Sequence, residues 1–368
     1  MNKLTVFLFA VMFNFSSYPT THTNQLNLDD EHEYIIGATV DSSACQIGVF
    51  KIVNNKPQLI LSIVKPIHII DDFTEFVEEI CEYLYTNYDI VISRACFSSA
   101  GLTAENREFI ESPHLPFVID GKDIKDQSGL SQAWVINDFE ILGYGIQAEP
   151  EQFYNVRYIN AGKKRKDAPK LLIGAGDGFG SSLLVWNKEE KRYTVIPLSA
   201  SFMDFAPLNK KQQQFAQYLK DKNDFNARWG YTLGSLGGLL AVYNYLVEQD
   251  HIVDCLQPKD VQTIFNNRTK NPLCKKAVNF YLKLYAQLIR QAAYFTLPYG
   301  GVYITNKIAF QNSDLLMQKT FIKHLFNADH PMLNKLMLEI PLYISTDQSL
   351  GLYGTAQYLI EAQKIQIR

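Results

Sequence analysis

Cysteine is scarce and scattered: Cys45, Cys81, Cys96, Cys255 and Cys274 are odd in number, far apart and form no CxxC pair. That argues against a disulfide framework and against a cysteine zinc site. The seven histidines show no HExxH or other ligand spacing, so each reads as a surface or capping residue and no protein metal site is expected. An excess of either charge is also missing. With 35 Lys and Arg against 38 Asp and Glu, the net charge is −3, which argues against a nucleic-acid binder driven by overall charge. Short repeats and low-complexity segments are absent. The apolar run Leu4–Phe15 is too short for a comfortable membrane span, which takes roughly 20 residues.

What is present describes a folded chain. Hydrophobic residues make up 47% and charged residues 20% of 368 positions, enough for two domains of ordinary size or one large one. The 23 Phe and 21 Tyr do not interleave with basic residues in any one patch and read as packing. Residues 1–33 form a separate extension. Lys3, the run Leu4–Phe15 and Ser16-Ser17 resemble a secretory signal without a clear cleavage site, and a plain disordered extension is the competing reading.

From Tyr34 the pattern is α/β. Strands are expected at Tyr34–Ile36, Ile47–Val53, Gln58–Ile63, Asp89–Ala95, Ala133–Ile136, Tyr193–Leu198, Val302–Thr305 and Pro341–Ser345. Helices are expected at Asp71–Thr86, Ile141–Ile146, Lys210–Lys222, Leu236–Val247, Asp260–Asn266, Lys275–Thr296, Leu315–Phe326 and Gly351–Gln363, with Asn106–Ser112 and Asp123–Gly129 as short helices or turns.

Two stretches carry chemistry. Leu172–Trp186 reads as strand, glycine turn, strand, with Gly174, Gly176, Gly178 and Gly180 at alternate positions. Such glycines permit φ > 0 and bring backbone N–H groups close to an anion, so the turn suits phosphates. A hairpin whose turn merely needs glycine explains the same letters. The strand at Ala133–Ile136 ends in Asn137-Asp138, where a helix begins. A carboxylate there is placed to meet a ligand in an α/β fold, and a simple helix cap is the alternative.

Taken together, several segments resemble the bacterial-type glucokinase family of the actin-like/hexokinase (ribonuclease H-like) superfold. Leu172–Gly180 is similar to its second phosphate loop, GxGTGLG, and Val135–Phe139 (VINDF) to the INDF segment that holds the family's catalytic aspartate. His114–Ile119 (HLPFVI), Met203–Pro207 (MDFAP), Ser235–Tyr243, Gly300–Ile304 (GGVYI) and Gly351–Ala356 (GLYGTA) resemble LPWVI, VDFAP, SGPGLVNIY, GGVYIAGGI and GLLGAA in the same order.

The resemblance implies two α/β lobes around an interdomain cleft. The small one is residues 34–148 completed by a C-terminal helix at 346–368, and the large one is 149–345. It implies ATP with Mg²⁺ against the glycine segments, Gly300 and Gly301 included, and a hexose beside Asn137 and Asp138. Asp138 would be the general base for phosphorylation of the 6-hydroxyl and Asn137 a sugar ligand. It further implies a cytoplasmic protein, with export left open by the N-terminus, and leaves open a homodimer through Leu236–Val247 and Lys275–Thr296.

The chain departs from that pattern at several sites. Where the family's first phosphate loop reads D-x-G-G-T, this chain has Thr39-Val40-Asp41-Ser42-Ser43. Thr39 stands for the metal-positioning aspartate, with Asp41 as a partial substitute and Ser43 at the loop's end. Asp177 replaces the threonine of the second loop, and a carboxylate there repels phosphates unless a metal bridges them. Asn306 and Lys307 replace paired glycines of the adenosine segment. On the sugar side, Ser199, Phe202 and Tyr231 stand where the family has glutamate, histidine and glutamate. Two readings stay open: a hexose kinase with impaired or shifted activity, and a pseudokinase with a binding or regulatory role.

Overall fold

The computed structural model describes residues 32–366 apart from 105–106, 113, 149–155, 177, 224–225, 235–237 and 328. The signal-like stretch at residues 1–17, Asp177, and the start of the Ser235–Tyr243 segment lie outside the described residues. The chain divides into two compact units, Met1–Gln152 with Ser349–Arg368, and Phe153–Gln348.

In the first unit, strands β1 (Tyr34–Val40), β2 (Ala44–Val53) and β3 (Lys56–Pro66) form an antiparallel meander. Helix α1 (Phe73–Tyr88) follows. Asp72 caps it by accepting from Thr74 N at 2.7 Å and Glu75 N at 3.1 Å. Its buried residues Phe73, Phe76, Val77, Ile80 and Leu84 recur at helical spacing, so the stripe read from the sequence is the face that packs. Next come β4 (Ile92–Ser99), a small sheet of β5 (Leu102–Thr103), β6 (Phe109–Glu111) and β7 (Ile119–Asp120), then α2 (Gly121–Ser128), β8 (Gln132–Asn137) and α3 (Asp138–Ala148). The main sheet has the order β3-β2-β1-β4-β8, with β1, β4 and β8 parallel. Within the short helix or turn expected over Asn106–Ser112, Phe109–Glu111 is instead a strand, because Phe109 and Ile110 pair with Asp120 and Ile119.

The C-terminal helix, Leu350–Gln366, belongs to this first unit. It lies against β1 and α3 with glycines at the contacts. A Cβ on Gly37 would sit 1.9 Å from Thr355 Oγ1, and one on Gly354 would sit 2.1 Å from the Ile141 carbonyl oxygen. Arg94 fastens it further, donating through Nη1 to the Leu359 carbonyl at 2.8 Å while its Nε and Nη2 hold Glu33.

The second unit begins with β9 (Val156–Asn160), β10 (Lys170–Ala175), β11 (Phe179–Asn187) and β12 (Arg192–Leu198). Helices α4 (Lys210–Asn223), α5 (Trp229–Leu233), α6 (Gly238–Gln249), α7 (Val261–Asn267) and α8 (Pro272–Thr296) follow, then β13 (Gly301–Ile304), α9 (Lys307–Leu316), α10 (Lys319–Leu325), α11 (Pro331–Glu339) and β14 (Leu342–Ser345). The six-stranded sheet runs β12-β11-β10-β13-β14-β9.

Helix α8 starts earlier than its apolar pattern suggests, because Asn271 accepts from Leu273 N and Cys274 N and Pro272 fits the first turn. Most of its apolar residues, with those of α6, are buried in this unit's own core, while Phe295 near its end is exposed. The single helix expected over Leu315–Phe326 is two, because α9 begins at Lys307 under an Asn306 cap and Met317-Gln318 breaks the run. Among the described residues no helix is long and apolar enough to cross a membrane.

Candidate active site

Each unit presents polar residues at one edge of its sheet. In the first unit that edge is the C-terminal end of the parallel strands, where ligands bind in open α/β sheets. Thr39 pairs in register with Ser98, and Ser99 with Asn137. The β1–β2 turn and the start of α3 therefore share this edge, two strand spacings or about 10 Å apart.

Asp138 is half-buried at the first position of α3. One carboxylate oxygen accepts from Phe139 N at 2.9 Å. Asn137 is the cap itself: Oδ1 accepts from Phe139 N at 3.0 Å and Glu140 N at 3.3 Å, and Nδ2 donates to the Gly101 carbonyl at 3.0 Å. Both ends of this carboxamide are engaged, one capping α3 and the other holding the Gly101 carbonyl. Asp41 is likewise held locally, one oxygen accepting from Ser43 N at 2.7 Å, Ser43 Oγ at 2.5 Å and Ala44 N at 3.0 Å. It stabilises the turn that Ser43 completes. Thr39 faces the C-terminal helix, 2.9 Å from where a Gly351 Cβ would lie.

Behind Asp138 sits a pair that sequence reasoning missed. Glu140 is buried and lies 2.9 Å from Arg107 Nη2, as a charge pair outside hydrogen-bond angles. Burial pushes the Glu140 carboxyl above its ordinary range, and the guanidinium partly offsets this. Arg107 also donates to Tyr358 Oη at 3.0 Å on the C-terminal helix, and its own backbone is left-handed at φ 58°. Ser99, buried between Val40 and Asn137, has no partner for its hydroxyl among the described residues. Glu140 was visible as an acid after Asn137-Asp138-Phe139, but nothing in the letters pairs it with Arg107.

In the second unit, one row crosses the sheet through Leu198, Ser181, Ile173 and Ile304. Just beyond it lie Ser199, the glycine turn and Thr305-Asn306. These share an edge about 14 Å across, three strand spacings. Gly300 and Gly301 do not join them. Gly301 pairs with Lys170, six residues before Gly176 and about 20 Å away along extended chain. Their glycines serve packing: a Cβ on Gly300 would meet the Ala168 carbonyl oxygen at 2.5 Å, and Gly301 has φ 123°.

The hairpin expected at Leu172–Trp186 is present, with Gly174 opposite Gly180 and Ala175 opposite Phe179. Positive φ is not the reason for three of its glycines. Gly174, Gly176 and Gly180 are not among the positive-φ residues. Gly174 lets Thr305 approach, since a Cβ would lie 2.2 Å from its carbonyl oxygen, and Gly176 lets Asn306 approach at 2.6 Å. Gly178 has open space around its Cβ position. Part of the expected bed of amides is also engaged internally. Gly176 N–H donates to the Gly178 carbonyl at 2.9 Å, and Ala175 N–H to Tyr285 Oη at 3.3 Å.

The sugar-side positions are solvent-facing. Ser199 precedes a short 3-10 turn, Ala200–Phe202, without a side-chain cap bond. Phe202 is 57% and Tyr231, on α5, 51% exposed. The two elements meet at Gly230, whose Cβ would lie 3.0 Å from Ser201.

The sequence profile described as Glucokinase matches residues 48–362. The chain belongs to the glucokinase family. A glucokinase from Nostoc punctiforme is 26% identical over 305 residues, covering 77% of this chain and 87% of the relative. The crystal structure of glucokinase from Balamuthia mandrillaris in complex with glucose shares the fold at TM-score 0.77 and 15% identity, over 90% of this chain and 94% of that one. A ROK family glucokinase from Streptomyces griseus in complex with glucose and AMPPNP does so at TM-score 0.57 and 12% identity, over 88% and 98%. The matched span takes in both Asn137-Asp138 and the glycine turn.

Phosphoryl transfer in such enzymes uses Mg²⁺, held largely by the phosphates with one or two carboxylates. No group of three His, Cys, Asp or Glu able to hold a metal occurs among the described residues. Asp41, the residue closest to the family's metal-positioning aspartate, is tied into its own turn. The described residues thus make no dedicated metal cage.

Proposed function

We propose that this member of the glucokinase family phosphorylates glucose or a related hexose at the 6-hydroxyl, with ATP as donor. The observation that carries the reading is Asp138. It sits half-buried on the first turn of α3 at the C-terminal end of β8, oriented by the Asn137 cap, inside the family-matched span. A carboxylate so placed accepts the hydroxyl proton as the sugar oxygen attacks the γ-phosphorus, and the bond from phosphorus to the ADP oxygen breaks. The glycine turn supplies the surface against which the phosphates lie.

The pattern of replaced residues supports a shifted substrate and reduced turnover. Where the family places charged acceptors for sugar hydroxyls, this chain presents Ser199 and the exposed rings of Phe202 and Tyr231. Each charge-assisted hydrogen bond lost removes about 1.5–3 kcal/mol of binding. The same replacements favour a second reading, a sugar- or nucleotide-binding protein without turnover.

The test is purified full-length protein with Mg-ATP and a hexose panel, assayed for hexose 6-phosphate. Formation of product that vanishes in Asp138→Asn, with the fold unchanged by circular dichroism, is the expected result. Absence of product across the panel, in a protein that still binds hexose, would install the second reading instead.

A further inference from the structure

We propose that Asn306 restricts how closely a nucleoside triphosphate approaches the glycine turn, and so limits nucleotide affinity in this chain. The inference rests on the functional reading above and adds to it the residue that sets donor affinity.

Three observations converge on this residue. Its backbone has φ 74° and ψ −174°, a region that essentially only glycine adopts without strain. The chain nevertheless places a branched carboxamide there, at the junction of β13 and α9. That carboxamide is fixed in direction, because Oδ1 accepts from Lys307 N at 2.7 Å and caps the ten-residue helix α9. With Oδ1 so engaged, Nδ2 turns to the glycine turn. A Cβ on Gly176 would lie 2.6 Å from Asn306 Nδ2 and 2.8 Å from both Cγ and Oδ1.

The space over Gly176 is therefore filled by the flat face of Asn306. Among the described residues other than its own chain neighbours, nothing lies within 4 Å of the Cβ position of Gly178, two residues on. A phosphate chain reaching the turn meets an open surface at Gly178 and a covered one at Gly176. Moving Asn306 aside breaks its cap on α9, so the cover resists displacement. Glycine at this position would suit the backbone and clear the surface together.

Isothermal calorimetry of the full-length chain with Mg-ATP tests this in wild type, Asn306→Gly, Asn306→Ala and Asn306→Asp. Asn306→Gly is expected to bind Mg-ATP at least tenfold more tightly, and Asn306→Ala to gain less because it keeps a Cβ on the strained backbone. Asn306→Asp, equal in volume, is expected to show no gain, and glucose affinity is expected to hold in all four. Should Asn306→Gly fail to fold, Asn306→Ala decides by the same criterion. Unchanged or weaker Mg-ATP binding in the folded glycine and alanine variants would overturn the proposal. Turnover is read separately: hexose phosphate formed without an affinity gain in Asn306→Gly removes this inference alone. An affinity gain in a protein with no turnover keeps the inference and removes the kinase reading.

Discussion

Replacing Arg107 by methionine strands the Glu140 carboxylate. Glu140 is buried and Arg107 Nη2, 2.9 Å away, is its charge partner. Breaking a buried pair from one side costs about 3–5 kcal/mol, because the remaining charge is left uncompensated. The Arg107 side chain is 37% exposed, so water partly replaces it and the lower end, about 3 kcal/mol, applies. A unit of this size loses roughly 2–4 °C per kcal/mol, which gives a drop of about 6–12 °C for the first unit.

The pH dependence has a definite sign. Burial raises the folded-state pKa of Glu140, so the folded chain holds its proton more tightly than the unfolded chain. The associated stability is complete below the unfolded carboxylate value and is lost as pH rises through the folded value. Removing Arg107 takes away the opposing attraction, widens that window upward and steepens the loss. Hydrogen-exchange mass spectrometry on peptides from α3 and the C-terminal helix, across pH, reads the effect in this unit alone. Arg107→Met with Glu140→Gln should recover most of the stability, since no charge is then buried. A single variant with wild-type protection, or a double variant no better than the single, would refute the buried-pair argument.

Other expectations follow from the same contacts. Gly354→Ala forces a Cβ to 2.1 Å from the Ile141 carbonyl oxygen, and should destabilise the first unit by about 1–3 kcal/mol in urea unfolding. Deleting residues 349–368 removes the partner of Arg94 Nη1 and uncovers Ile35, Phe50 and Ile136, so the truncated chain should aggregate or bind a hydrophobic dye. Asn137→Ala removes the cap on α3 and should cost about 1 kcal/mol in stability. It should lower kcat more than it raises KM for sugar, if the cap's main task is to orient Asp138; a change in KM alone would point to direct sugar contact.

Order along the chain was legible wherever one local rule governed. Apolar spacing gave α1 and the long α8, and the alternating run either side of Gly174–Gly180 gave the hairpin. The strand ending in Asn137-Asp138 was legible because a cap follows an apolar run. Boundaries failed where capping overrode periodicity, as at Asn271-Pro272 and at Asn306, and where a short strand was held only by a distant partner, as at Phe109–Glu111.

What the sequence by itself determined is the class of most segments and the ordered set of motifs that marks the family, because these depend on neighbours a few residues apart. Tertiary structure alone decided what the glycines are for. Gly37, Gly174, Gly176 and Gly354 each admit an atom from a residue 130 or more positions away, in the cases of Thr355, Thr305, Asn306 and Ile141. It also decided that Gly300 and Gly301 stand at the wrong edge for the glycine turn, and that Arg107 meets Glu140. Steric approach and charge pairing act through space, so no reading along the chain contains them.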